Sequence, residues 1–214
     1  GGGGGGGAGL ALTTSPYTQN FNNIGSGLPQ GVTIRTGSTN TVLGTAATFA
    51  TGPQKWDSTT GTFKNYASAT GLTSTSTVAE QSGSSNRALG VRQTGSFGDP
   101  GAAFVFMLEN TTGKSNFQFT FLLQALDVTS TRTTAWVVDY GIGDNPTTFT
   151  PVTTTPATLT TSGTFSSTPV SVTLPAAINN QSQKVWVRIV TLAGTTGGGT
   201  RASTAIDDVQ LTWN

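Results

Sequence analysis

The clearest signal along the chain is an alternation of apolar and polar side chains with a period of two. Between Asn116 and Leu126, Phe117, Phe119, Phe121 and Leu123 fall on one side, and Gln118, Thr120, Leu122 and Gln124 on the other. Successive side chains of a strand point to opposite faces, whereas a helix would scatter these phenylalanines around its axis. Thr133 to Ile142 reads the same way, with Trp136, Val138 and Tyr140 on one face and Val137 and Asp139 opposite. Tyr17 to Ile24, Gly31 to Thr36, Thr41 to Ala50, Arg87 to Thr94 and Ala102 to Glu109 are further strands. Thr147 to Val152, Ser171 to Leu174, Lys184 to Leu192 and Ala205 to Trp213 bring the number to about ten or eleven, too many for one sheet and suited to a two-sheet sandwich. Turn residues such as Gly25-Ser-Gly-Leu-Pro-Gln and Gly141-Ile-Gly-Asp-Asn-Pro separate the strands. Gly52 to Ser85 reads as a long excursion that returns Trp56, Phe63 and Tyr66 to the core, and Pro175 to Gln181 as the one helical turn. No repeat of fixed period is present, which argues against a propeller or solenoid.

Composition sharpens this picture. The 214 residues include 43 Thr, 19 Ser and 29 Gly, and only 9% are charged, against about a quarter in an ordinary soluble domain. Threonine is β-branched and suits a pleated surface, so this is a composition for strands and turns. Histidine and cysteine are absent, which excludes a Ser-His-Asp or Cys-His nucleophile, the usual zinc ligands and disulfides. A net charge of +1 without a basic run argues against nucleic acid, and no apolar run is long enough for membrane insertion. The scarcity of lysine (Lys55, Lys64, Lys114 and Lys184) with abundant Thr, Ser and Gly is commoner in proteins that are secreted or held on a bacterial cell surface.

The sequence divides into a Gly-rich tail over residues 1–12 and one β-sandwich domain over 13–214. Gly1, Gly2, Gly3, Gly4, Gly5, Gly6 and Gly7 form a homopolymer, and Leu10 and Leu12 follow in a short apolar tether. Glycine passes where backbones approach closely, and an extended segment adds to an open sheet edge through main-chain hydrogen bonds. The tail is therefore an expected assembly element between copies, giving a homo-oligomer or filament.

Three further segments carry a family resemblance. They are Asn20-Phe-Asn-Asn-Ile with Gly27-Leu-Pro-Gln-Gly-Val, then Trp136-Val-Val-Asp-Tyr-Gly with Phe149, and finally Val185-Trp-Val-Arg-Ile-Val with Ala205-Ile-Asp-Asp-Val-Gln-Leu. Together they resemble the MAM-like, cleaved-adhesin-like jelly-roll domains of bacterial extracellular proteins. The resemblance implies a jelly-roll order for the two antiparallel sheets. It also implies that Asp207 and Asp208 match a closing acidic pair that joins an opening acidic residue around calcium; here that opening position is Asn22 or Asn23. The alternative is that one aspartate bonds backbone amides while the other faces water. No other cofactor is implied.

Candidate chemistry is sparse. Thr112-Gly-Lys-Ser115 lacks the earlier glycine of a phosphate loop and is followed by a strand, so it reads as a hairpin turn. Glu80 and Glu109 are the only glutamates, and nothing in their spacing makes them a glycosidase pair. Trp136 and Trp186 lie in apolar strand patterns and read as core, while Trp56 and Trp213 are the candidates for glycan contact, with burial the favoured reading for each. The expected function is a non-enzymatic extracellular structural protein that self-associates through its tail and sheet edges. The alternative is a carbohydrate-binding or adhesive module.

Overall fold

Alternation along the chain becomes two stacked sheets in the computed structural model, which describes residues 8–214. In chain order the elements are β1 (Tyr17–Gln19), β2 (Val32–Thr36), β3 (Thr45–Ala46), β4 (Phe49–Gln54), β5 (Phe63–Ala67), the helix α1 (Val78–Gly83), β6 (Arg87–Arg92) and β7 (Ala103–Leu108). Then come β8 (Gln118–Ala125), β9 (Thr134–Ile142), β10 (Thr150–Val152), β11 (Leu159–Thr161), β12 (Ser166–Thr173), β13 (Val185–Val190) and β14 (Ser203–Thr212). The first sheet runs β10-β9-β13-β7-β2-β3, with β11 also on β9; the second runs β12-β8-β14-β6-β5-β4, with β1 also on β14. Among the named strands of the described residues, only β4 and β5 pair in parallel. Each sheet has seven strands, and the chain passes repeatedly between them in a jelly-roll β-sandwich.

The inward faces interlock through aromatic pairs. Phe104 of β7 meets Phe63 of β5 edge-on at 5.5 Å, and Phe106 meets Phe119 of β8 at 5.4 Å, geometries that suit the ring quadrupoles. Phe117, Phe119, Phe121 and Leu123 are all buried in this core, as their period-two pattern predicts. Trp136 and Val138 join it from β9.

Fourteen strands replace the ten or eleven expected among the described residues, because several are only two or three residues long. The excursion after Gly52 also contains a central strand, β5, and the helix α1, which sequence patterning missed. Thr77 caps α1 by accepting from the Glu80 amide while the Glu80 carboxylate accepts from the Thr77 amide, a complete capping box. The helical turn near Pro175 is present as a 3-10 turn at Ala176–Ile178.

Both outer faces carry a second apolar layer. On the second sheet, Trp56, Tyr66, Ala69, Leu126 and Ala205 cluster beneath the excursion. On the first, Leu43, Val105, Met107, Phe149, Trp186 and Val190 cluster beneath the loops before β3 and β10.

Candidate functional site

The outer face of the first sheet is built in rows. Strand register places Trp186 beside Met107 and Gly141, and Arg188 beside Val105 and Asp139. Alternation explains the split: Val185, Val187 and Ile189 enter the sandwich core, so Trp186 and Arg188 point outward. Arg188 is fully buried there. It grips Asp139 through Nε at 2.8 Å and Nη2 at 2.6 Å, and its remaining N–H groups donate to the carbonyls of Thr39, Val42 and Leu43. Its guanidinium also lies 3.6 Å from the Phe149 ring centroid. Gly141 makes room for this ring, since a Cβ there would sit 2.8 Å from Phe149.

Next to this closed region the face opens into a cleft of about 270 Å³. Leu28, Pro29, Met107 and the Trp186 indole supply apolar wall; Gln30, Thr33 and Arg35 supply polar groups. The Arg35 guanidinium lies 5.4 Å from the Trp186 ring centroid. Its Nη1 donates to the Gly44 carbonyl at 2.9 Å and its Nε to the Thr33 hydroxyl at 3.4 Å. Among the described residues Nη2 has no acceptor, and Arg35 has no acidic partner within salt-bridge distance. Burial, with the nearby Arg188 charge, lowers the Arg35 pKa. Trp186 is itself 5% exposed and its Nε1 donates to the Gly143 carbonyl at 2.7 Å, so the indole backs Arg35, and what the cleft offers is an incompletely bonded arginine fork, an amide and a hydroxyl.

Sequence patterning missed Arg35, and placed Trp186 in the core, where it is buried in the outer apolar cluster at the back of this cleft. The usable signal was the arginine two residues after Trp186, which marks that face of the strand as something other than the sandwich interior.

The two tryptophans named as candidate glycan contacts are both buried. Trp56 is 4% exposed, its Nε1 donates to the Ala67 carbonyl at 2.9 Å and its ring packs on Phe165. Trp213 is 8% exposed and packs on Phe117. Both are held by the domain's own packing, since the excursion folds back over Trp56 and the closing strand carries Trp213 into the core. Trp56 does border a second cleft of about 300 Å³, with Asp57, Val78, Asp127 and Val128 among its other walls, but offers it almost no ring surface.

Asp207 and Asp208 point to the same side because a β-bulge interrupts β14 between Asp207 and Gln210, with Asp208 in the left-handed region at φ 47°. Asp207 is fully buried, its Oδ1 accepts from the Asp208 amide at 2.8 Å, and its Oδ2 has no hydrogen-bond partner. Burial pushes its carboxyl up to about 7. Asp208 is exposed and borders a polar cleft of about 490 Å³ with Gln19, Asn20, Asn23 and Gln210. Asn22 instead accepts from the Arg87 amide. Among the described residues no three acidic side chains come together as a metal cluster.

Leu10 is buried in the core of its own domain and Leu12 packs against it, so the domain takes in residues assigned to the tail. Gly1 to Gly7 lie outside the described residues. The sheet edges are blunted: β3 has two residues, β4, β10 and β12 contain Pro53, Pro151 and Pro169, and Thr155 pairs with Ser171 across part of the β12 edge.

Most carboxylates already have partners. Asp127 accepts from Arg92 at 2.6 Å and from the Thr129 amide and hydroxyl; Asp99 binds Arg201 and Thr195; Glu80 caps α1; Glu109 accepts from the Gly9 amide.

No family model matches the chain, and no curated protein matches it. Among solved structures, it is similar to a CBM22 xylan-binding domain of Paenibacillus barcinonensis Xyn10C at 12% identity, with 92% of each chain covered and a TM-score of 0.46. A cleaved adhesin domain of Lys-gingipain from Porphyromonas gingivalis aligns at 18% identity, over 92% of this chain and 97% of that one, with a TM-score of 0.47. A cyclase from Fischerella sp. aligns at 15% identity, over 76% of this chain and 77% of that one, with a TM-score of 0.42. The jelly-roll architecture rests on the strand order given above.

Proposed function

We propose that this chain is a non-catalytic extracellular binding module that holds a glycan in the Arg35–Trp186 cleft. The observation that carries this reading is the half-buried arginine fork at the wall of an open cleft, backed by the Trp186 indole and with donors left over. A sugar presents apolar C–H faces and many acceptor oxygens. Leu28, Pro29, Met107 and the indole edge suit the first; the free Nη2 of Arg35, the Gln30 amide and the Thr33 hydroxyl suit the second. The paired and capping roles of Asp99, Asp127, Asp139 and Glu80 support the non-catalytic part of the reading, since hydrolysis of a glycosidic bond needs two carboxyl groups facing one substrate.

Calcium is proposed separately, as a stabiliser at the polar cleft, with Asp208 as the charged ligand and Asn20 and Asn23 as neutral oxygen donors. Asp207, beneath the outer layer, is not part of that wall.

The test is calorimetric titration of neutral and uronate-bearing oligosaccharides into the wild type and R35A. Binding at least tenfold weaker in R35A, with an unchanged circular dichroism spectrum, is expected. Equal affinity of the two proteins for every ligand that binds, or no binding by the wild type, would overturn the reading.

A further inference from the structure

The segment leading into β1 is seated on the sheet edge as a plug. Leu10 forms a parallel bridge with Leu108, its amide donating to the Met107 carbonyl at 2.8 Å and its carbonyl accepting from the Glu109 amide at 3.0 Å. It occupies the stretch of the β7 edge that β2, beginning at Val32, leaves unpaired. Its side chain is buried in the sandwich core, where with Tyr17, Phe106, Leu108, Phe119, Val187 and Leu211 it lines a residual cavity of about 10 Å³. The seat is shaped for it: a Cβ on Gly31 would come within 2.5 Å of Leu10, and one on Gly9 within 2.3 Å of Met107. Gln30 donates to the Gly9 carbonyl at 3.1 Å.

Between this plug and β1 runs a weakly held connector. Ala11, Thr13, Thr14, Ser15 and Pro16 are exposed, and the bonds recorded along it are Thr13 to Ala11 and the Trp213 amide to the Ser15 hydroxyl. The plug is held by one apolar side chain and by hydrogen bonds to its main chain, two of them between Gly9 and the side chains of Gln30 and Glu109, and these contacts have the same form whichever copy supplies the segment.

We propose that the Ala8–Leu12 segment exchanges between copies, the plug of one chain seating on Met107–Glu109 of a second. The four connector residues from Thr13 to Pro16 reach at most about 14 Å when extended, which confines exchange to copies meeting at this end of the sandwich. The smallest product is a reciprocal dimer with a two-fold axis. Ala8 and Gly31 also border the Arg35–Trp186 cleft, and because the exchanged segment is identical, each cleft keeps its wall. The inference does not depend on what that cleft binds.

The chain has no cysteine, so introduced thiols report cleanly. Ala11 follows Leu10 where Glu109 follows Leu108, which places the two positions side by side. Full-length A11C and full-length E109C, mixed at high concentration and then oxidised, should give several-fold more mixed disulfide than either homodimer. Adding L10S to the A11C chain should cut the mixed product at least tenfold. Because that variant is open to misfolding, a second arm keeps the protein constant: folded E109C is offered a synthetic Ala8–Thr14 peptide bearing A11C, with or without L10S. Capture of the Leu10 peptide at least tenfold faster supports the seat. Equal capture of the two peptides overturns the proposal, as does a mixed disulfide no more abundant than the homodimers, whatever the peptides do.

Discussion

Lys64 is 1% exposed and has no carboxylate within salt-bridge distance among the described residues; its Nζ donates to the carbonyls of Thr60 and Thr62. Burial, with repulsion from Arg92, pushes its pKa down to about 8. The unfolded chain holds this proton up to about 10.5, so between about 8 and 10.5 the unfolded state binds more protons than the folded one. Stability therefore rises with pH across that window, and the cost of the buried charge is fully present below it. K64M removes the charge and keeps much of the stem's volume. Denaturant melts at pH 7 are expected to show K64M more stable by about 1–2 kcal/mol, with the advantage shrinking by pH 10. An advantage of the same size at both pH values would place its origin in packing instead.

At the scale of elements, Arg188 ties the loop before β3 onto β13 and β9. A buried ion pair broken on one side leaves an uncompensated charge, so D139N and R188M should each cost about 3–5 kcal/mol, and the double variant R188M/D139N clearly less than their sum. Urea unfolding of the four proteins in a double-mutant cycle checks this; strict additivity would mean that the pair is not coupled. These strands also show what the sequence made legible. β8 and β9 have one face in the core and a different chemistry on the other, so alternation revealed them. β5 was hidden because all five of its residues, Phe-Lys-Asn-Tyr-Ala, are buried, its outer face covered by the excursion and its polar members bonded locally. α1 was hidden because it is short and set among Ser and Thr, although Thr77 and Glu80 carried its capping signature. Trp56, between Lys55 and Asp57, left both readings open in the sequence, and the fold of the excursion decided its burial. The Arg35–Trp186 cleft was illegible for a related reason: its two partners come from distant strands, and their meeting depends on β2 and β13 both flanking β7.

For the whole molecule, the polar cleft lies where the first and last strands meet, since β1 pairs with β14 from Tyr17–Leu211 to Gln19–Val209. A cation held by Asp208, Asn20 and Asn23 would bridge the chain's opening segment to its closing strand and so oppose unfolding from either end. With one formal charge among its ligands, the site belongs with weak extracellular calcium modules, whose dissociation constants are about 10⁻⁴–10⁻³ M. A ligand that binds only the folded state at about ten times its dissociation constant adds about 1.4 kcal/mol. For a domain of this size that is a rise in Tm of roughly 3–5 °C. Calorimetric scans with calcium at several millimolar and with excess EDTA should differ by that amount in the wild type. D208N should show no difference, because its cleft then holds only neutral donors. Magnesium at the same concentration should have a smaller effect, since a few amide oxygens on a loop do not impose the tight octahedron it requires. Identical melting of the wild type in calcium and EDTA would remove calcium from the account and leave the bulge at Asp207–Asp208 as a purely structural joint, with Asp207 bonding the next amide and Asp208 facing water.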